Sequence, residues 1–221
     1  MDMLEIMKAR HSVRQYLDKP LTAETVSRLT DEIAACNREG DLHIQLVTNE
    51  PKAFDGFMAR YGKFSGVKNY IALIGKKGPD LDERCGYYGE RLVLLAQEMG
   101  LNTCWVGLTY SKVKTAYTVD SGEKVCAVIA LGYGETQGVS RKSKAISDVT
   151  KLSGPMPGWF RKGMEAVLLA PTAMNQQKFV FTLADGKVQA QAGGGFYTKM
   201  DLGIAKYHFE IGAGKENFQW A

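Results

Sequence analysis

An α+β fold is the class this sequence predicts, on three observations. Helix-like and strand-like stretches interleave without strict βαβ alternation. Leu42-His43-Ile44-Gln45-Leu46-Val47 alternates apolar and polar residues as a half-buried strand does. Val125-Cys126-Ala127-Val128-Ile129-Ala130-Leu131 is apolar throughout, as a strand buried on both faces is.

The elements follow in order. A short helix is expected from Asp2 to Ala9, with Leu4, Ile6 and Met7 available for burial. Thr22 has the chemistry of an N-cap, and Val26, Leu29 and Ile33 then recur at helical spacing up to Ala35. After the alternating strand, a helix is expected over Pro51 to Tyr61 and a buried strand over Tyr70 to Ile74. The clearest helix runs from Leu81 to Met99 and stops at Gly100, a residue suited to the left-handed turn that ends helices. Thr103 to Val106 reads as a strand entering Gly107, and the Val125–Leu131 strand follows. Beyond Ser153-Gly154-Pro155-Met156-Pro157-Gly158, the best linker candidate, come a helix from Trp159 to Leu169 and a strand near Phe179 to Leu183. A turn at Asp185-Gly186 and a last helix from Thr198 to Ala213 complete the reading.

The chain has 221 residues, between one domain and two at ~150 residues each. It is long enough to bury a core without a disulfide or metal staple. With 28 Lys+Arg against 24 Asp+Glu, its net charge of +4 is too small to mark a nucleic-acid binder, yet suits a small anionic ligand. No apolar run approaches the ~18 residues of a membrane span, and the acidic start lacks the pattern of a signal peptide. Cys36, Cys85, Cys104 and Cys126 form no Cys-x-x-Cys pair, so reduced thiols in a cytoplasmic protein are expected. His11, His43 and His208 do not pair with them at zinc-ligand spacing, and no metal site is expected.

Two segments carry chemistry. Arg10-His11-Ser12-Val13-Arg14 places two guanidiniums, an imidazole and a hydroxyl just past a helix end. Alternation along an extended backbone puts Arg10, Ser12 and Arg14 on one side and Val13 on the other, so one phosphate could meet all three. The bland alternative is a solvated basic turn. In Leu169-Ala170-Pro171-Thr172-Ala173-Met174-Asn175-Gln176-Gln177, Pro171 ends a helix and small residues open the backbone to a flat ligand. Asn175 and Gln177 offer amides suited to the polar edge of a heteroaromatic ring. The alternative here is an ordinary capped loop. Gly132-x-Gly134-x-x-x-Gly138 misses the dinucleotide fingerprint by one position. An internal echo aligns the helix around Gly89 and Gly100 with the helix around Gly203 and Gly214, without a gap.

Together these segments resemble the flavin-dependent nitroreductase superfamily, which includes NAD(P)H oxidases and flavin reductases. Ile6 to Tyr16 is similar to its Arg-x-Ser-x-Arg signature, and Ala170 to Gln177 to its Ala-Pro-Ser-x-x-Asn-x-Gln loop. Gly100 to Gly107 resembles its Gly-Leu-Gly-Thr-Cys-Trp-Ile-Gly segment, and Asp201-Leu202-Gly203-Ile204-Ala205 its Asp-x-Gly-Ile-Ala helix start. The order departs from the usual one, because the proline loop stands over a hundred residues late. Family members are homodimers with FMN at the interface, so the resemblance implies two unequal related halves in one chain: 1–153 with the phosphate segment and 154–221 with the ring loop. It further implies a central, mostly antiparallel sheet flanked by helices, and a monomer, with a homodimer as the alternative.

For the site, the resemblance implies that Arg10, His11, Ser12 and Arg14 bind FMN from phosphate to pyrimidine edge. Val106 and Gly107 would pass near flavin N5, and Arg141 and Lys142 would close the phosphate end. Pro171, Thr172, Ala173, Met174, Asn175 and Gln177 would line the ring. The implied function is an FMN-dependent oxidoreductase, with no protein catalytic residue beyond the flavin. It would take hydride from NADH or NADPH and reduce a nitroaromatic, quinone or flavin-like acceptor. A non-catalytic FMN-binding protein for storage, sensing or delivery is the alternative.

Overall fold

A computed structural model describes residues 2–221. The chain divides into two compact units. The first comprises Ala9–Leu81 and Arg91–Ser140; the second comprises the residues up to Lys8, Asp82–Glu90 and Arg141–Ala221. The Ser153–Gly158 segment, expected as a linker, thus lies within the second unit.

The first unit is built on a four-stranded antiparallel sheet in the order β1-β2-β4-β3. Its strands are β1 (Gln45–Val47), β2 (Asn69–Lys76), β3 (Asn102–Val106) and β4 (Glu123–Gly132). The alternating Leu42–Val47 run pairs only over its last three residues. In β2, Tyr70 to Ile74 are fully buried, and so are Val128 to Ala130 of β4. A sheet covered on both faces has no polar side to show, hence the unbroken apolar run. The register slips where Leu73 faces Ala127 but Ile74 faces Val125, a bulge that leaves Cys126 as the extra residue. One face packs Tyr70, Ala72, Val128 and Ala130 against Phe54, Phe64 and Tyr110.

Helix α2 (Ala23–Gly40) begins where Thr22 Oγ1 accepts a hydrogen bond from the Thr25 N–H. It buries Leu29, Ile33 and Cys36 and runs five residues past the expected Ala35. The expected helix from Pro51 shrinks to α3 (Phe57–Tyr61), because residues 51–56 form turns closed by Glu50, whose carboxylate accepts from the Lys52 and Ala53 N–H groups. Helix α4 (Leu81–Glu98) begins at the end of this unit's first stretch, continues through Asp82–Glu90 of the second unit and returns.

In addition to the antiparallel sheet that was expected, the second unit carries a four-stranded sheet of its own, β5-β6-β7-β8. Here β6 (Phe179–Ala184) pairs antiparallel with β7 (Lys187–Ala192) through the Asp185-Gly186 turn. The edge strands β5 (Thr150–Leu152) and β8 (Gln219–Trp220) join in parallel. Helices α1 (Met3–Ala9), α5 (Gly158–Val167) and α6 (Thr198–Ala213) complete the element set. An aromatic core forms where Phe209 of α6 stacks on Phe181 at 5.1 Å and meets Phe160 edge-on at 5.4 Å.

Within this unit, α6 crosses the start of α4 at two glycines. A Cβ on Gly86 would lie 2.0 Å from the Met200 carbonyl oxygen, and one on Gly203 would lie 1.9 Å from that of Glu83. The contact is reciprocal: Gly86 faces Met200 and Ile204, and Gly203 faces Glu83 and Tyr87. It pairs Gly203 with Gly86, three residues before the Gly89 that the sequence echo aligns with Gly203. No helix among the described residues is long and apolar enough to cross a membrane.

Candidate functional site

In the first unit, the Arg10–Arg14 segment is laid against β3. Ser12 bridges Thr103 in parallel, and the Val13 N–H donates to the Thr103 carbonyl at 3.0 Å. Farther on, Ser65 N–H donates to the Arg14 carbonyl and Tyr16 N–H to that of Ser65, both at 3.0 Å. Buried Val13 and Tyr16 hold this stretch in the core, so Ser12 and Arg14 face outward. The expected alternation holds for these two but not for Arg10, which is 4% exposed. His11 is half-buried. The Arg14 guanidinium lies 5.9 Å from the centre of the Phe64 ring.

Cys104 of β3 lies under this segment. Burial pushes its thiol upward, against Arg14, a Ser12 hydrogen bond and Arg10, which pull it down. The neutral thiol therefore prevails, and Cys104 packs as a core residue. The same strand ends at buried Val106 and half-buried Gly107. This unit thus joins the cationic segment to the strand leading into Val106-Gly107, two sites that stand about ninety residues apart in sequence. The four cysteines are all free thiols.

In the second unit, residues 171–177 form a loop with an unusual backbone. Met174, Asn175 and Gln177 all have positive φ, at 49°, 55° and 46°. Asparagine tolerates that region, whereas methionine and glutamine pay for it, and such strain persists only where the surroundings over-determine it. The surroundings here are specific. Arg141 donates to Asn175 Oδ1 at 2.7 Å and to the Leu168 carbonyl at 3.2 Å, and also to the Ala170 carbonyl. The Lys142 carbonyl accepts from Asn175 Nδ2 at 2.8 Å and Gln177 Nε2 at 3.1 Å. Lys144 closes the far end, its N–H on Gln177 Oε1 at 3.0 Å and its Nζ on the Gln177 carbonyl at 2.9 Å. Thr172 Oγ1 accepts from the Gln177 N–H.

The two groups expected at opposite ends of a ligand, Arg141-Lys142 and Asn175-Gln177, therefore bond to each other. Their hydrogen bonds hold the loop, and Met174 at its tip is 89% exposed. Pro171 is buried; Thr172 and Ala173 are half-buried. Sequence reasoning missed two of the anchors. Lys144 is one. The other is Asp201 in the first turn of α6, which accepts the Ala173 N–H at 2.9 Å and Gln176 Nε2 at 2.7 Å. Its sequence signal was the Asp-x-Gly-Ile-Ala helix start, read there as a fold marker alone.

A third cluster, His43, Asp120 and Glu123, lies in the first unit. Gln45 Oε1 accepts the Thr118 N–H, so its amide nitrogen is the group 3.1 Å from His43 Nε2. Nε2 is then the acceptor, and Nδ1 carries the proton donated to Glu123 Oε2 at 2.8 Å.

Comparison with known proteins decides the family. Residues 2–213 match the family described as "Putative TM nitroreductase". The chain belongs to this nitroreductase family. Its fold is shared by the crystal structure of a "putative nitroreductase" from Thermotoga maritima MSB8, at 25% identity and a TM-score of 0.65 over 98% of this chain and 85% of that one. A "putative nitroreductase" from Desulfovibrio desulfuricans, solved in complex with FMN, is 20% identical with a TM-score of 0.55, over 71% of this chain and 99% of that one. A "Putative NADH dehydrogenase/NAD(P)H nitroreductase" from Parabacteroides distasonis is 21% identical with a TM-score of 0.53, over 67% and 96%. No curated protein matches the chain. The nitroreductase family thus fits the expected α+β class, now with two sheets.

Proposed function

We propose that this nitroreductase-family chain is an FMN-dependent oxidoreductase that takes hydride from NADH or NADPH and reduces a nitroaromatic, quinone or flavin-like acceptor. The observation that carries this reading is the strained, multiply anchored 171–177 loop, a backbone held in a costly shape with an exposed tip. The cationic segment supports it from the first unit: Ser12 and Arg14 face outward on a backbone fixed to the sheet, which suits an anionic group.

In this reading Arg10, His11, Ser12 and Arg14 hold the phosphate, ribitol and pyrimidine edge. Val106 and Gly107 pass near N5, and Pro171, Thr172, Ala173, Met174, Asn175 and Gln177 line the ring. Bound FMN supplies the hydride chemistry, while the protein binds, orients and tunes it. Arg14 would be the cation that favours negative charge on the reduced ring. Arg141 and Lys142 act through the loop they hold. FMN titrated into the purified chain, with flavin fluorescence as the readout, tests the reading. Saturable binding followed by anaerobic bleaching with NADH or NADPH is the expected result. Binding without bleaching by either donor would make the chain a flavin carrier, and no binding would end the proposal.

A further inference from the structure

Asp201 is buried, 3% exposed, and it is the only carboxylate joined by hydrogen bonds to residues 171–177 among the described bonds. Its two oxygens divide the work. Oδ1 takes the main chain of the loop at the Ala173 N–H, and Oδ2 takes a side chain, Gln176 Nε2. Gln176 Nε2 also donates to the Phe196 carbonyl at 2.9 Å, so both amide hydrogens are used. Gln176 cannot turn its oxygen toward Asp201 without losing that bond. Both loop groups therefore require acceptors, which an ionised carboxylate supplies and a protonated one supplies only in part. The Ala173 bond sits immediately before Met174, where the backbone first turns to positive φ.

We propose that Asp201 is a positioning residue: its ionised carboxylate holds the 171–177 loop in its strained form, and its protonation releases that loop. This rests on the reading of the loop as the ring-facing part of the flavin site, and it adds a pH-dependent control of affinity to that reading. Burial raises the Asp201 carboxyl to about 6, against the Ala173 and Gln176 hydrogen bonds and the charge of Arg141, which pull it down. The sign follows. Because the folded value exceeds the ordinary carboxylate value of 3.8, the fold takes up a proton as pH falls through about 6. Stability rises on that acidification while the loop loses an acceptor, so global stability and flavin affinity move in opposite directions. An anchor with a merely structural role would move them together.

The experiment follows the Ala173 amide by NMR in the chain without flavin, and FMN affinity by fluorescence, both against pH, in wild type, Asp201→Asn and Gln176→Leu. Wild type is expected to show an Ala173 inflection near pH 6 that Asp201→Asn lacks. Asp201→Asn should weaken FMN about tenfold at neutral pH, and Gln176→Leu by a smaller factor in the same direction. The comparison with Asp201→Asn removes the titration of the FMN phosphate itself. A flat Ala173 shift in wild type overturns the proposal, as do two variants that bind FMN as wild type does. A wild type with the inflection but no FMN affinity would keep the switch and discard the flavin reading instead.

Discussion

Gly203→Ala is the substitution whose cost the geometry sets most directly. A Cβ there would lie 1.9 Å from the Glu83 carbonyl oxygen and 2.8 Å from both the Glu83 carbonyl carbon and the Tyr87 nitrogen. Real Cβ atoms essentially never come within 3.0 Å of such atoms, and these belong to backbone, so no side chain can swing aside. The two helices must part by about 1 Å in a close-packed core. Overpacking of this kind costs about 1–3 kcal/mol. Alanine returns about 1 kcal/mol of helix propensity. With rigid atoms on both sides the upper end of the range applies, leaving a net loss of about 2 kcal/mol. Gly158→Ala supplies the opposite sign, because a Cβ at the first residue of α5 meets nothing within 4 Å and should stabilise by about 0.5–1 kcal/mol. Urea unfolding reads both through the midpoint at constant slope. The displaced α6 also carries Asp201, so Gly203→Ala should weaken flavin binding where Gly158→Ala does not. A Gly203→Ala chain as stable as wild type would refute the close crossing.

Further substitutions probe the core and the cationic segment. His208 is fully buried, with Nδ1 donating to the Ala166 carbonyl at 3.0 Å and Nε2 2.9 Å from Glu90 Oε1. His208→Leu takes this partner from a buried carboxyl and should cost about 3 kcal/mol or more in the same urea assay. Arg14 is exposed, so Arg14→Ala should leave the unfolding midpoint nearly unchanged while FMN affinity falls about tenfold. Equal losses of stability and affinity would make Arg14 a packing residue instead.

The elements most legible in the sequence are those with one dominant signal. Thr198–Ala213 is a helix over the expected residues, and Thr22 caps α2 as its chemistry suggests. Ala127 to Leu131 of the expected apolar run are buried, in a strand that pairs with β2 on one edge and β3 on the other. What escaped depends on partners distant in sequence. The Pro51–Tyr61 stretch has helical composition, yet the Glu50 carboxylate takes its first N–H groups into turns. The second sheet was hidden because β5 and β8 are only three and two residues long and exist by pairing with β6 and β7. In the candidate site, the residue types of both segments were visible, but not what each side chain bonds. Arg141 was expected at the phosphate end of FMN only through the family resemblance. Three acceptors claim it in the folded chain, Asn175 Oδ1 and the Leu168 and Ala170 carbonyls. Asp201 stood in a recognised motif, but its role required knowing that α6 begins beside Ala173.

Whether this nitroreductase-family chain binds FMN and turns it over, as proposed, is read from the absorbance of the FMN-loaded chain on anaerobic addition of NADH or NADPH. The oxidised-flavin absorbance is expected to fall with at least one donor and to return when a quinone or nitroaromatic is added. A chain that cannot be loaded with FMN, or whose bound flavin stays oxidised with both donors, would contradict the proposal.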